Sequence, residues 1–271
     1  MRYQRALAVA IVLFLTAGSV GVRSQQPPPL PSQQAAPPPS QQPTPAPAQQ
    51  ATAPPSQPAG PSPLDRLKSG NERFVKNPSA TLPITAEKRL AQLKGQSPFA
   101  IVLSCADSRV PPEVIFNAGL GDLFVVRTAG EVADKAVLAS VEYGAEHLNA
   151  PLLVVMGHES CGAVKAALEA KPGAASMGPN LDALVAAIKP GFARMTVSAD
   201  LDHMREAILA NVEQVINDLF SKSAIVKHLA ASGKLQAVGA FYEFSTGRVR
   251  FSEPVKAEQE APKQKPDAFY R

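Results

Sequence analysis

The sequence predicts an α/β fold: a mainly parallel four-stranded sheet with an antiparallel edge strand and helices on both faces. Three observations carry that reading. The first is a set of short, continuous apolar runs: Phe99–Leu103, "FAIVL"; Leu123–Val126, "LFVV"; Pro151–Met156, "PLLVVM"; and Leu235–Phe241, "LQAVGAF". Unbroken apolar runs of this length are expected of strands covered on both faces. The second is what lies between them, namely segments with apolar residues at three-and-four spacing. Buried strands alternating with helices argue for a parallel sheet. The third is a terminal pair, Ala240–Phe244 and Arg248–Phe251, joined by "STG". A short glycine-bearing link makes this pair a hairpin, so the last strand is antiparallel at the sheet edge.

The helices follow in chain order. Leu64, Leu67, Asn71 and Phe74 share one helical face within Leu64–Val75. Thr85–Leu93 reads as a second helix, with Ala86, Leu90 and Leu93 apolar. Lys135–Leu148 places Val137, Leu138, Val141, Ala145 and Leu148 at helical spacing, and Leu201–Phe220 does so with Leu201, Met204, Ile208, Val212, Val215, Ile216 and Leu219. "CGAVKAALEA", opening at Cys161, is a further helix.

Composition divides the 271 residues into four parts. Residues 1–24 carry Arg2 and Arg5, then an apolar run from Ala6 to Leu15, then small residues with Val22 and Ser24 at cleavage-like positions. This is the layout of a secretory signal peptide, and the run is short for a membrane span of roughly 20 residues. An uncleaved anchor is the alternative, because Leu7–Val22 has no charge. Residues 25–63 hold 15 of the 27 prolines and neither a charged nor an aromatic side chain. Such a stretch favours extended polyproline II and buries no core, so it is expected to be a disordered linker. Residues 64–255 read as one globular unit, long enough for a sizeable core. Residues 256–271 are a polar tail. Loss of the leader would remove Arg2, Arg5 and Arg23 and lower the formal charge from +4 to +1. A charge near zero gives no electrostatic reason to expect nucleic acid or an anionic membrane as partner. The expected location is periplasmic or secreted.

Two polar motifs stand at strand ends, where ligands bind in open parallel sheets. "SCADSR" follows the first strand and "GHESCG" follows "PLLVVM". Both cysteines of the chain, Cys105 and Cys161, therefore reach the same rim, together with His158. Two thiolates and an imidazole suit zinc, and three protein ligands leave a fourth position for water, the pattern of a catalytic site. A helix starting at Cys161 favours its thiolate. Spacing alone leaves a Cys105–Cys161 disulfide equally open, since exported proteins use disulfides. His147, His203 and His228 lie on helical segments and read as surface or packing residues. Asp107 and Arg109 are spaced to share a face with Cys105, so Arg109 can hold the Asp107 carboxylate in a forked pair. A paired acid beside an open metal position can orient a metal-activated water, whose pKa zinc lowers to about 7.

Taken together, "CADSRVPPEVIF", "GDLFVVRTAG" and "VVMGHESCGAVKAAL" resemble a bacterial, exported β-class carbonic anhydrase. The similarity runs from "GNERFV" to "GAFYEFSTGRVRF", essentially the whole globular unit. The resemblance implies the β-carbonic anhydrase fold and one zinc ion per chain on Cys105, His158 and Cys161. It implies reversible hydration of carbon dioxide to bicarbonate and a proton, a zinc lyase activity, with Asp107 and Arg109 as the catalytic dyad. Asp107 is implied as a fourth zinc ligand in an inactive state. Gln96, in "GQSPF", and Gly162 are implied to bind substrate. A homodimer or homotetramer is implied, with Leu64–Val75 crossing to the partner and the active site near the interface. The chain has no tryptophan, which argues against the tryptophan-using bicarbonate pocket of some bacterial relatives. Hydrolysis of carbon disulfide or carbonyl sulfide on the same scaffold, or a zinc-free disulfide-containing binding module, are the alternatives.

Overall fold

The computed structural model describes residues 60–257 except 80, 81, 83, 172, 174 and 196–201. The expected leader, nearly all of the linker, and residues 258–271 of the tail lie outside the described residues, as does Leu201. Five strands form one sheet: β1 (Ala100–Cys105), β2 (Leu123–Thr128), β3 (Leu152–His158), β4 (Gln236–Tyr242) and β5 (Val249–Phe251). Their order is β2-β1-β3-β4-β5. The first four run parallel, and β5 closes the edge antiparallel, pairing Ala240 with Phe251. The four expected parallel strands and the antiparallel edge strand are all present.

Why these runs are strands is visible in the packing. β1 and β3 are buried along their whole length. Successive side chains alternate between the two faces of a strand. Ala100 and Val102 join Leu152, Val154 and Met156 in one core layer, and Ile101 and Leu103 join Leu153 and Val155 in the other. A strand sandwiched in this way has no polar face, hence the absence of alternation in its sequence. At about 25 cal/mol per Å² of apolar surface removed from water, these two strands anchor the fold.

Helices α1 (Pro63–Lys76), α3 (Pro112–Ile115), α5 (Gly162–Glu169) and α6 (Pro179–Ile188) contribute to the first layer. The second layer is covered by α4 (Lys135–Glu142) and α8 (Ala224–Ala231). Between them in chain order comes α7 (His203–Lys222), which supplies Ile208 and Leu209 to the first layer and Val212, Val215, Ile216 and Leu219 to the second. The short α2 (Ala86–Ala91), capped by the Thr85 hydroxyl, buries nothing. Leu90 and Leu93, the apolar positions that suggest a buried face there, are exposed. Among the described residues, no helix is long and apolar enough to cross a membrane.

Two local features depart from simple helical periodicity. The segment read as one helix to Leu148 leaves α-geometry after Glu142 and widens into a π-turn, Tyr143–His147. The wider turn seats Gly144 on Ile101 and Phe124, where a Cβ would lie 3.0 Å from the Ile101 side chain. In α1, Gly70 lies flat on the backbone of Phe116, and a Cβ there would fall 2.0 Å from the Phe116 carbonyl oxygen. The next residue, Asn71, is buried and serves as a tie. Its amide donates to the carbonyls of Ile115 and Gly247, and its oxygen accepts the Val249 N–H at 2.9 Å. The expected helix Leu64–Val75 is thus fastened to its own chain through β5.

The chain steps from β1 to β2 on one side and then returns to place β3 on the other side of β1. The carboxyl ends of β1 and β3 therefore flank a topological switch point, where open α/β sheets leave a crevice for ligands.

Candidate metal centre

That crevice holds the three expected metal donors. β1 ends on Cys105, its neighbour β3 ends on His158, and Cys161 caps the N-terminus of α5. The tight return from β3 to α5 passes through Ser160 in the left-handed region (φ 55°). All three residues are buried, and their donor atoms lie within 4.8 Å of one another. No other such group of histidine, cysteine and carboxylate residues exists among the described residues. His147, His203 and His228 stay apart from it. The His147 ring packs on Tyr143, and His203 lies 3.9 Å from Glu206.

The chemistry of the donors fits zinc. The Cys105 and Cys161 sulfurs are 4.0 Å apart and both thiols are free, so the two cysteines are not a disulfide. Two thiolates on one tetrahedral zinc, each about 2.3 Å from it, would stand roughly 3.8 Å apart. His158 Nδ1 lies 2.8 Å from the Glu159 carbonyl oxygen. A carbonyl only accepts, so Nδ1 carries the proton and Nε2 presents its lone pair. That Nε2 is buried and has no hydrogen-bond partner. A buried orphan lone pair beside two thiols is costly unless a cation takes it. Three donors of this kind leave a fourth position open.

The thiols share their protons unequally. Cys105 is held well below the ordinary thiol range, chiefly by its hydrogen bond to Cys161 and against the cost of burial. The same interaction, with burial, pushes Cys161 up. Metal binding would deprotonate both. Gly130 donates its N–H to the Cys105 sulfur at 3.4 Å. Gly130 sits at φ 63°, and a Cβ there would press to 2.8 Å on Ile188. Asn211 on α7 fixes this turn by donating to the Gly130 carbonyl and to a Glu131 carboxylate oxygen.

Asp107 and Arg109 make the forked pair. Arg109 Nε donates to Oδ1 at 2.9 Å and Nη2 to Oδ2 at 2.7 Å, and the Arg109 backbone N–H also reaches Oδ1. The arrangement comes from a turn rather than from the strand pleat. β1 stops at Cys105, and Val110 N–H closes back on the Asp107 carbonyl. Arg109 lowers the Asp107 pKa well below the usual carboxylate range, by side-chain bonding first, against a smaller opposing effect of burial. Asp107 Oδ2 stands 3.9 Å from the bare His158 Nε2, which puts the carboxylate beside the metal position but outside the donor trio. The Arg109 guanidinium lies over the Phe244 ring at 4.5 Å, and that ring meets His158 edge-on.

The implied substrate residues fall in two places. Gly162 begins α5 directly after Cys161, and a Cβ there would meet open space. Gln96 is exposed and precedes β1, at the end opposite Cys105. Six strand residues span roughly 17 Å at about 3.3 Å each, so one chain does not bring Gln96 to its own metal centre.

Sequence reasoning missed four contributors. Arg127 donates to two carbonyls of the "SCAD" segment; Asn211 and Glu131 brace the turn under Cys105; and Phe244 packs on Arg109. The one available signal was an arginine ending the apolar run "LFVVR". Glu131 is buried beneath the centre, and burial first, the Cys105 charge second, raises its pKa. An acid raised in the folded state contributes stability below its unfolded pKa of about 4.3 and loses it as pH rises toward the folded value. Glu131→Gln, which has no proton to lose, should gain stability over the parent from pH 4 to pH 8. Urea midpoints across that range measure it, and parallel pH curves for the two proteins would refute the assignment.

The comparisons agree with this geometry. A family model described as "Carbonic anhydrase" matches residues 100–249. A curated relative, "Carbonic anhydrase 2" of Mycobacterium tuberculosis, is 41% identical over 182 residues, covering 67% of this chain and 87% of its own. The "Carbonic anhydrase" of Mycolicibacterium smegmatis is 39% identical, covering 68% of this chain and 88% of its own. Among solved structures, a Coccomyxa β-carbonic anhydrase in complex with acetazolamide superposes with a TM-score of 0.55 at 26% identity, covering 73% of this chain and 89% of that one. A tetrameric β-carbonic anhydrase from Sordaria macrospora gives 0.52 at 25%, covering 68% and 90%. The matched stretch contains every strand of the sheet except its last two residues and all three metal donors, and the chain belongs to the carbonic anhydrase family, in its β class.

Proposed function

We propose that in this carbonic anhydrase Asp107 and Arg109 are the catalytic pair, that Gly162 and a partner subunit's Gln96 bind substrate, and that the working unit is a homodimer or homotetramer exported by its leader. The observation that carries the reading is the carboxylate of Asp107, forked by Arg109 and set 3.9 Å from the buried, unpartnered nitrogen of His158. Cys105, His158 and Cys161 would hold zinc, which when bound would supply a Lewis acid able to lower the pKa of a water to about 7.

The protein's own groups do the rest. Asp107, ionised and acceptor-only, takes a hydrogen bond from the water and orients its lone pair toward carbon dioxide. Arg109 keeps both carboxylate oxygens occupied and so holds Asp107 off the metal. The open space at Gly162 leaves the first N–H groups of α5 accessible to the oxygens of bicarbonate, at the positive end of the helix.

The oligomer follows from Gln96. If Gln96 binds substrate, it does so across an interface, because its own centre lies at the far end of β1. The half-exposed apolar edge strand β2 and the exposed Leu90 and Leu93 offer surface for such contact. Arg2, Arg5 and the short apolar run support a leader, residues 25–63 then being a tether, and export would put bicarbonate exchange outside the inner membrane. Co-expression of Gln96→Ala and Asp107→Asn chains tests the assembly. Each variant alone should hydrate carbon dioxide slowly. Mixed assemblies should regain activity, since one site then has both groups intact. No regain on mixing, with exchange verified, would reject the shared site.

A further inference from the structure

Behind the Asp107–Arg109 pair stands another arginine. Arg127 is the fifth residue of β2, in register with Ser104 of β1. Its side chain is half-buried and reaches across the strand end. Nε donates to the Cys105 carbonyl at 2.9 Å, and Nη2 donates to the Asp107 carbonyl. Between them, the Ala106 N–H donates to the Thr128 carbonyl at 3.0 Å. The three residues that leave β1 are therefore still bound to β2, with two of the three hydrogen bonds coming from one rigid, planar group.

That geometry has a specific effect. The guanidinium fixes the separation of two carbonyls that bracket Ala106, and with it the rotation of the peptides between Cys105 and Asp107. One of those residues presents a metal donor and the other the acid. A lysine in the same place is a point charge on a flexible stem and lacks the fork that spans both carbonyls. An arginine placed in an otherwise apolar strand also loses hydration, and only well-formed hydrogen bonds offset that loss.

We infer that Arg127 is a positioning residue of the reaction, locking the Cys105–Asp107 turn so that the carboxylate meets the metal position while the thiolate stays in ligating place. The inference rests on the catalytic role given to Asp107. Misplacing a reacting group by about 1 Å can cost about 100-fold in rate. Arg127→Met should accordingly lower kcat for carbon dioxide hydration by about 10- to 100-fold, in kcat more than in KM. Arg127→Lys should recover part of the loss.

The deciding experiment uses the zinc-loaded full chain and a double-mutant cycle with Asp107→Asn. If Arg127 acts through Asp107, adding Arg127→Met to Asp107→Asn should cost no more than about 2-fold further, because coupled residues are not additive. A second readout does not depend on turnover: zinc transfer to a chromophoric chelator should be faster in Arg127→Met than in the parent. Losses that multiply fully in the double variant, or unchanged zinc release, would overturn the inference. If Asp107→Asn alone turns over like the parent, the role of Asp107 fails first and this inference falls with it, a distinct result. Should Arg127→Met not fold, Arg127→Lys carries the same cycle, with a full multiplicative loss again rejecting the proposal.

Discussion

Asp107→Asn should retain one zinc per chain and lose carbon dioxide hydration by roughly 10²- to 10⁴-fold, the usual contribution of a positioned acid–base group. The argument is geometric. The Asp107 carboxylate is not among the three donors gathered within 4.8 Å, so its removal leaves the metal-binding set whole. Its two oxygens are both held by Arg109, and one of them lies 3.9 Å from His158 Nε2, beside the donor trio. Asparagine keeps the shape and one acceptor. It replaces the other oxygen with an NH₂ that points donors at Arg109 and at the water. Because Arg109 already holds the Asp107 pKa far below neutral, the carboxylate stays charged throughout the working range, and the loss should be nearly independent of pH between about 6 and 9. Stopped-flow hydration together with metal analysis measures both halves. Turnover within a few-fold of the parent would remove Asp107 from the mechanism.

Cys105→Ser should lose the zinc itself. The serine hydroxyl does not ionise near neutral pH, and soft thiolate supplies much of the affinity of such sites for zinc. The replacement is also made in a buried position whose sulfur accepts the Gly130 N–H and faces Cys161 at 4.0 Å. Activity should fall below detection. Stability should change in a manner that depends on the metal. A ligand present at 1,000 times its Kd stabilises the folded state by about 4.1 kcal/mol, so the parent should melt higher when zinc is added, and the serine variant should not. Calorimetry with and without zinc separates this from a simple packing defect, which would lower both curves equally. Stoichiometric zinc in the serine variant would overturn the ligand assignment.

The sequence exposed those features whose cause is periodic or compositional. The strands β1 and β3 were legible because burial on both faces leaves no polar alternation, and α7 because its apolar residues recur at helical spacing. The donors Cys105, His158 and Cys161 were legible because strand ends fix where they meet. Other features arise from contacts that leave no such trace. Leu90 and Leu93 look like a buried face, yet α2 touches no core in one chain. The π-turn after Glu142 depends on how Gly144 meets Ile101, which is a matter of tertiary packing. Arg127 acts on backbone carbonyls, which every residue possesses, and Asn211 meets the Gly130 carbonyl and the Glu131 carboxylate, 80 residues away, so no local pairing of side-chain types could announce them. Gln96 is a third kind of case: its place in the chain is plain, but the distance that separates it from Cys105 appears only once β1 is built.

The crossing of the chain at the switch point also sets when the metal can act. Cys105 and Cys161 are 56 residues apart, with β2 and α4 between them. A nascent chain that has completed β1 and β2 holds only one of the three donors. Zinc therefore has no chelating site until β3 has docked beside β1, a step that closes the long connection through β2 and α4 and carries its entropic cost. Its binding energy arrives after that barrier and not before it. The ion should act as a latch across the paired β1 and β3, prolonging the lifetime of the folded state by slowing unfolding.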